Sequence, residues 1–317
     1  MKSALLFPLL LVACSDYEIH DQNDAGGKYN PPDLGAEVKT DRIVQVTIPS
    51  VDVLWVIDNS CSMEDEQQAL GANFSKFMNY FTDSGLDYHV GVTSTDMDSA
   101  AHKGRLRADL GTTFIDPTFS ASEANQSFSR RANMGTGGSY DERGLDGAWS
   151  AVVTHGNGFN NGFYRDDSAF AMIVITDEED QSTNVTVQEF ISWASSLKPT
   201  LEMVSFSSIV WQNQCPGESY QLGAKYMEVT DAIGGIKWPI CDSAWDTVLA
   251  ELGMQAAGLK REFFLSSVPV VDSINVEVLG ASGSQGFEVD VDFSYDRARN
   301  SIRFSSFVPE PLDEVLI

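Results

Sequence analysis

Apolar runs alternate with amphipathic stretches through the middle of this chain. Val51–Ile57 and Ala169–Thr176 are almost continuously apolar, the pattern of parallel strands buried on both faces. Phe74, Phe77, Met78 and Phe81 share one face of a predicted helix over about residues 63–81. A strand over Asp87–Thr95 follows, and a polar hairpin around Arg105–Ile115 reads as a sheet edge. Ser120 with Glu123, and Thr186 with Glu189, have capping-box spacing, the second opening a helix that carries Phe190, Trp193 and Leu197. The glycine- and asparagine-rich Gly156–Gly162 turns the chain into the Ala169 strand. A strand over 201–211 and a helix over about 220–233, ended by Gly234-Gly235, come next. After a short strand reaching Cys241, Asp242 is expected to cap a last helix with Trp245, Val248, Leu249 and Leu252 at helical spacing.

This alternation predicts an α/β fold, a doubly wound and mostly parallel sheet flanked by helices. From residue 263 the period changes to two. Phe263–Val268, Ile274/Val276/Val278, Phe287/Val289/Val291/Phe293 and Ser301–Phe307 read as a small C-terminal antiparallel β appendix.

Chemistry concentrates where the apolar strands end. Val51–Ile57 runs directly into Asp58-Asn59-Ser60-Cys61-Ser62, an Asp-x-Ser-x-Ser loop of one carboxylate and two hydroxyls at alternating positions. Such hard oxygen donors suit a small divalent cation. A second loop, Gly135-Thr136-Gly137-Gly138-Ser139-Tyr140-Asp141-Glu142-Arg143, precedes a helix bearing Leu145, Trp149, Val152 and Val153. A third, Asp177-Glu178-Glu179-Asp180, follows the Ala169–Thr176 strand. Each loop also has a plain structural reading: a helix cap at Asp58, a glycine-rich turn at Gly135–Ser139, a solvated acidic turn at 177–180.

Taken together, the three loops in this order resemble the metal-ion-dependent adhesion site of von Willebrand factor type A domains, over about residues 50–260. The resemblance implies a cation, Mg²⁺ or else Mn²⁺ or Ca²⁺, held by Asp58, Ser60, Ser62, Ser139 and Asp177. Counted back from Gly144-Leu145, Ser139 falls where the family has a Thr, with Thr136 as the alternative ligand. The family usually has Gly after the third-loop Asp. Glu178 stands there instead, so the site is more acidic than usual and a second carboxylate could compete for the cation. The implied function is binding of a protein partner that presents an acidic residue. The alternative is an envelope assembly or scaffold protein whose site is structural. No nucleophile–base pair, phosphate loop or cofactor fingerprint points to an enzyme, and the four His form no recognisable arrangement.

The N-terminus adds an address. Lys2, the apolar Ala4–Ala13 and the ending Leu11-Val12-Ala13-Cys14 resemble a bacterial lipoprotein signal, too short to span a bilayer. That implies lipidation at Cys14, a membrane anchor and the bacterial cell envelope, with Ser15 favouring the outer membrane. Residues 15–48, rich in Asp, Asn, Gly and Pro, are expected to be a disordered tether. The resulting division is 1–14 signal and lipidated Cys, 15–48 tether, 49–262 type A domain and 263–317 β extension. A formal charge of −26 argues against nucleic acid and against docking on anionic lipid. Of the other cysteines, Cys215 and Cys241 lie in loops at helix boundaries and are expected to pair in an oxidising compartment. Cys61 is expected to be a small buried thiol filling its loop.

Overall fold

A computed structural model describes residues 38–45, 50–82, 86–216, 221–310 and 312–317. Cys14 and most of the expected tether lie outside these residues. In chain order the elements are β1 (Arg42–Val44), β2 (Ser50–Ile57), α1 (Glu64–Thr82), β3 (Asp87–Ser94), β4 (Phe114–Ile115), α2 (Ala121–Ala132), α3 (Gly144–Val153), β5 (Ala169–Thr176), α4 (Val187–Ser196), β6 (Val204–Val210), α5 (Ala224–Ile233), β7 (Lys237–Pro239) and α6 (Trp245–Ala256). Then come β8 (Glu262–Phe264), β9 (Val276–Gly280), β10 (Gly283–Phe287), β11 (Phe293–Asp296), β12 (Ser301–Phe304) and β13 (Glu314–Leu316).

The central sheet has the order β4-β3-β2-β5-β6-β7, parallel except for the β4 edge. This is the doubly wound α/β architecture that the alternating runs predict. β2 is buried on both faces because its side chains alternate between two cores. Val51, Val53, Trp55 and Ile57 pack on α1, α2 and α6, while Leu54 and Val56 pack on α3, α4 and α5. Trp55 anchors the first core, with its ring 5.1 Å from Phe77 and 5.3 Å from Phe128. Edge-on aromatic pairs of this kind add roughly 0.5–1.5 kcal/mol each beyond burial.

Both capping boxes form, at Ser120/Glu123 and Thr186/Glu189. Gly234 ends α5 at a φ of 99°, a conformation in which a side chain would be strained. Asp242 does not cap α6. The N-cap is Ala244, without a side-chain bond, and Asp242 instead accepts the Ala244 N–H at 2.9 Å. Cys215 and Cys241 are joined by a disulfide, across a sequence separation of 26. Closing a loop of that size contributes about 3.5 kcal/mol in the chain-entropy model.

The C-terminal strands form two small antiparallel sheets, β1-β13-β9-β10 and β11-β12-β8. They share a core of Phe263, Val276, Val278, Phe287, Phe293, Ile302, Phe304 and Val315. Two expectations are corrected here. Arg42–Val44, grouped by composition with the tether, is a strand paired with β13. Phe287 and Phe293 belong to different sheets, separated by a turn in which Asp290 has a φ of 61° and Val291 is exposed. The Gln45 amide ties this layer to the end of the main domain, donating to the carbonyls of Lys260 and Pro309. Thr40–Ile317 form one compact unit.

Candidate functional site

β2 and β5 lie side by side in parallel register, Val51 opposite Ala169 through Ile57 opposite Ile175. From β2 the chain winds back to β3 on one side, and from β5 to β6 on the other. Their carboxyl ends therefore meet at the topological switch point, where open α/β sheets leave a crevice. Asp58 and Asp177 are the first residues past those ends.

The Asp58 amide continues the ladder by donating to Ile175 O at 3.0 Å, which carries the carboxylate into the sheet's end, fully buried. Its Oδ1 accepts the Ser60 N–H at 2.7 Å and its Oδ2 accepts the Thr176 hydroxyl at 2.6 Å. Ser60 Oγ lies 3.1 Å from Ser62 Oγ, and Ser62 Oγ donates to Asp177 Oδ1 at 3.1 Å. The structure thus links Asp58, Ser60, Ser62 and Asp177 in one chain of hydrogen bonds. Cys61, between the two serines, is free and exposed rather than buried.

Gln67, one turn into α1, sews the first loop to the second. Its amide donates to Asp58 O and Gly135 O, and its Oε1 accepts the Met134 N–H. Gly138 N donates to Asn59 O at 2.8 Å, and a Cβ at Gly138 would lie 2.5 Å from Asn59 Cγ. Only glycine allows the two loops to approach so closely.

Ser139 is not part of the Asp58 chain. Its hydroxyl donates to Asp98 Oδ2 at 2.8 Å and accepts the Asp141 N–H at 3.1 Å. Arg143 pairs with the other Asp98 oxygen. Thr136 is exposed. The residue that the second loop does turn inward is Glu142, which has no exposed surface. Its backbone is held by pairing with Asp96 and by the Gln181 N–H, which donates to Glu142 O at 2.7 Å. Its Oε2 accepts the Thr95 hydroxyl, and its Oε1 is buried with no hydrogen-bond partner. The carboxyl meets that of Asp58.

The electrostatics follow from this crowding. Burial, and then the charge of Asp58, push Glu142 up to about 9. The same two causes raise Asp177 to about 6. Burial raises Asp58 and Glu178 as well. Among the described residues no Lys, Arg or His forms an ion pair with Asp58, Glu142 or Asp177.

The acidic third loop divides its work. Asp180 Oδ1 accepts the Leu145 N–H in the first turn of α3, and Glu179 accepts the N–H groups of Ala224 and Lys225 at the start of α5. Asp177 and half-buried Glu178 are left at the site. Behind them Asp146, buried in α3, accepts the N–H groups of Thr183, Asn184 and Val185. Gln67, Glu142 and Asp146 carried no local sequence signal of these roles, since each acts on a loop distant in the chain.

Among the described residues no three His, Cys, Asp or Glu side chains converge as a ready metal cluster. The convergent set is two carboxyls, Asp58 and Glu142, with the hydroxyls of Ser60, Ser62, Thr95 and Thr176 around them. Hard oxygens, excess negative charge and one unpartnered buried oxygen fit a divalent cation. Close by, Ser94 Oγ and His102 Nδ1 lie 2.8 Å apart, a pairing not evident from the sequence. Ser94 is buried.

No known family's profile matches the chain. No curated protein matches it either. Several solved structures do, at low identity. A von Willebrand factor type A protein from Catenulispora acidiphila is 12% identical over 88% of this chain and 64% of that one, with a TM-score of 0.45. The pilus adhesin SpaC from Lactobacillus rhamnosus GG is 12% identical over 86% of this chain and 39% of that one, with a TM-score of 0.44. Proximal thread matrix protein 1 from the mussel byssus is 14% identical over 69% of this chain and 48% of that one, with a TM-score of 0.42. The match thus spans less than two thirds of each of these proteins.

Proposed function

We propose that this chain is a binding module of the bacterial cell envelope. It holds a divalent cation, Mg²⁺, Mn²⁺ or Ca²⁺, at the carboxyl ends of β2 and β5 and uses it to bind a protein partner. The observation that carries the reading is the burial of Asp58 and Glu142 carboxyl to carboxyl, with no cationic side chain paired to either among the described residues. Burial disfavours charging both carboxyls, so without a cation Glu142 keeps a proton. A divalent cation bound here would take the place of that proton. Ser60, Ser62 and Asp177 would supply the remaining oxygens.

A bound cation supplies a positive centre for an acidic side chain of the partner. Without it, a surface of charge −26 repels such a group. The module is a binder rather than an enzyme, and the N-terminal sequence supports anchoring through a lipidated Cys14, with the outer membrane as the favoured site. The second reading, an assembly or scaffold protein with a purely structural site, draws on the internal bonding of Ser60, Ser62 and Asp177 to one another.

Capture of partners from the native envelope, run with Mg²⁺ or Mn²⁺ and again with chelator, separates the two. Cation-dependent binding predicts capture that is lost in chelator and in Asp58→Ala, with circular dichroism verifying that the variant is folded. Equal capture under all conditions supports the scaffold. Calorimetric titration showing no Mg²⁺ or Mn²⁺ binding, with and without captured partner, removes the metal reading.

A further inference from the structure

We propose that Glu142, and not Ser139, completes the cation site; this rests on the cation-binding reading above. Counting along the chain brings Ser139 to the ligand position, but the fold spends its hydroxyl elsewhere. Ser139 donates to Asp98 and accepts from Asp141 N, and Asp98 is held in turn by Arg143. Together these bonds make a clasp on the rim of the second loop. Moving the Ser139 hydroxyl to Asp58 breaks it.

Glu142 needs no rearrangement. Its side chain is fully buried, and the Thr95 hydroxyl orients it by binding Oε2. That leaves Oε1 without a partner, on a carboxyl already against Asp58. A buried acceptor normally finds a donor, and beside this oxygen the neighbouring group is the Asp58 carboxyl. A proton or a cation can satisfy two facing carboxyls, and a divalent cation that displaces the proton can also draw on the Ser60 and Ser62 hydroxyls. The backbone on either side of Glu142 is pinned by pairing with Asp96, by Gln181 N and by the Arg143 N–H, which donates to Thr95 O. The carboxylate is therefore presented by the framework and not by a free loop tip, as a preorganised ligand requires.

Replacing a hydroxyl ligand by a carboxylate adds a full negative charge to the coordination shell. That strengthens binding of hard divalent ions and makes the affinity depend on the charge at position 142.

The test is calorimetric titration of Mn²⁺, Mg²⁺ and Ca²⁺ into wild type, Glu142→Gln, Glu142→Ala and Ser139→Ala, with melting in chelator and in saturating cation as a second readout. Glu142→Gln keeps the shape of the side chain and offers an amide donor to Asp58, so it should melt in chelator no lower than wild type. Its Mn²⁺ affinity should fall at least about 10-fold, the range seen when even outer partners of a metal site are removed. Its gain in melting temperature from cation should shrink in parallel. Ser139→Ala should bind about as tightly as wild type, because the Ser139 hydroxyl is engaged with Asp98 on the loop's rim.

Unaltered Mn²⁺ affinity in both Glu142 variants, or a loss in Ser139→Ala as deep as in Glu142→Gln, overturns the assignment while leaving the cation site standing. Wild type that binds none of the three ions overturns both readings at once.

Discussion

Asp146 offers a sharp test of how the site is held in place. It sits in the first turn of α3, fully buried, and accepts the backbone N–H groups of Thr183 at 3.0 Å, Asn184 at 3.1 Å and Val185 at 3.1 Å, plus the Asn184 side chain at 2.9 Å. It thereby fastens the stretch after the third loop to the helix after the second. Asp146→Ala deprives all four donors. Thr183 and Asn184 are exposed, so water replaces much of what they lose, at about 1 kcal/mol each. Val185 is buried, and its orphaned N–H costs about 2–3 kcal/mol. Alanine's better helix propensity returns roughly 0.5 kcal/mol. The expected net loss is about 4 kcal/mol. Asp146→Asn keeps one acceptor oxygen but turns its amide toward donors, so about half that loss is expected. Urea denaturation measures both variants, and hydrogen exchange at Val185 shows whether the loss is local. A loss in Asp146→Ala under about 1.5 kcal/mol, with Val185 protection unchanged, would refute the reasoning.

Two further predictions use the same structure. In chelator, Glu142 at about 9 and Asp177 at about 6 both lie above their unfolded values of 4.5 and 3.8, so the native state binds more protons in between. Stability from this cluster is therefore complete below about pH 4 and falls as pH rises through the folded values, by up to about 1.4 kcal/mol per pH unit for each group titrating. Denaturation of wild type and Glu142→Gln at pH 5, 7 and 9 should show wild type losing ground to the variant as pH rises, and a constant difference would contradict it. For the anchor, Cys14→Ser should release the protein from the membrane fraction or leave it unprocessed; wild-type fractionation and maturation would end the lipoprotein reading.

The framework was legible because its signals are local. β5 occupies Ala169–Thr176, the very run that the apolar pattern marks, and the two capping boxes form at the residues whose spacing announces them. The Cys215–Cys241 pairing followed from elimination and loop position. Where several arrangements share one local pattern, sequence misled. Phe287/Val289/Val291/Phe293 alternates like one strand, yet the chain turns between its ends and places them in two sheets. Asp242 has the chemistry of a cap, but the helix begins beyond its reach, at Trp245. Arg42–Val44 reads as a tether until β13 arrives from the far end of the chain to pair with it.

The second loop shows the same division within the site itself. A motif fixes an offset along the chain, and Ser139 was placed by offset. Which side chain turns inward is decided by what the rest of the loop must satisfy. Asp98 and Arg143 draw Ser139 to the rim, while pairing with Asp96 turns the Glu142 side of the loop into the interior. Asp96, Asp98 and Arg143 are unremarkable polar residues in sequence, so nothing local foretold their grip. Asp58 and Asp177, by contrast, were placed correctly at the strand ends, because each is the first residue past an apolar run whose register the sheet itself enforces. The reliability of a site residue read from sequence thus tracks how directly a strand positions it. At this pole the residue least positioned by a strand, Ser139, is the one that the structure places away from the Asp58 chain of hydrogen bonds.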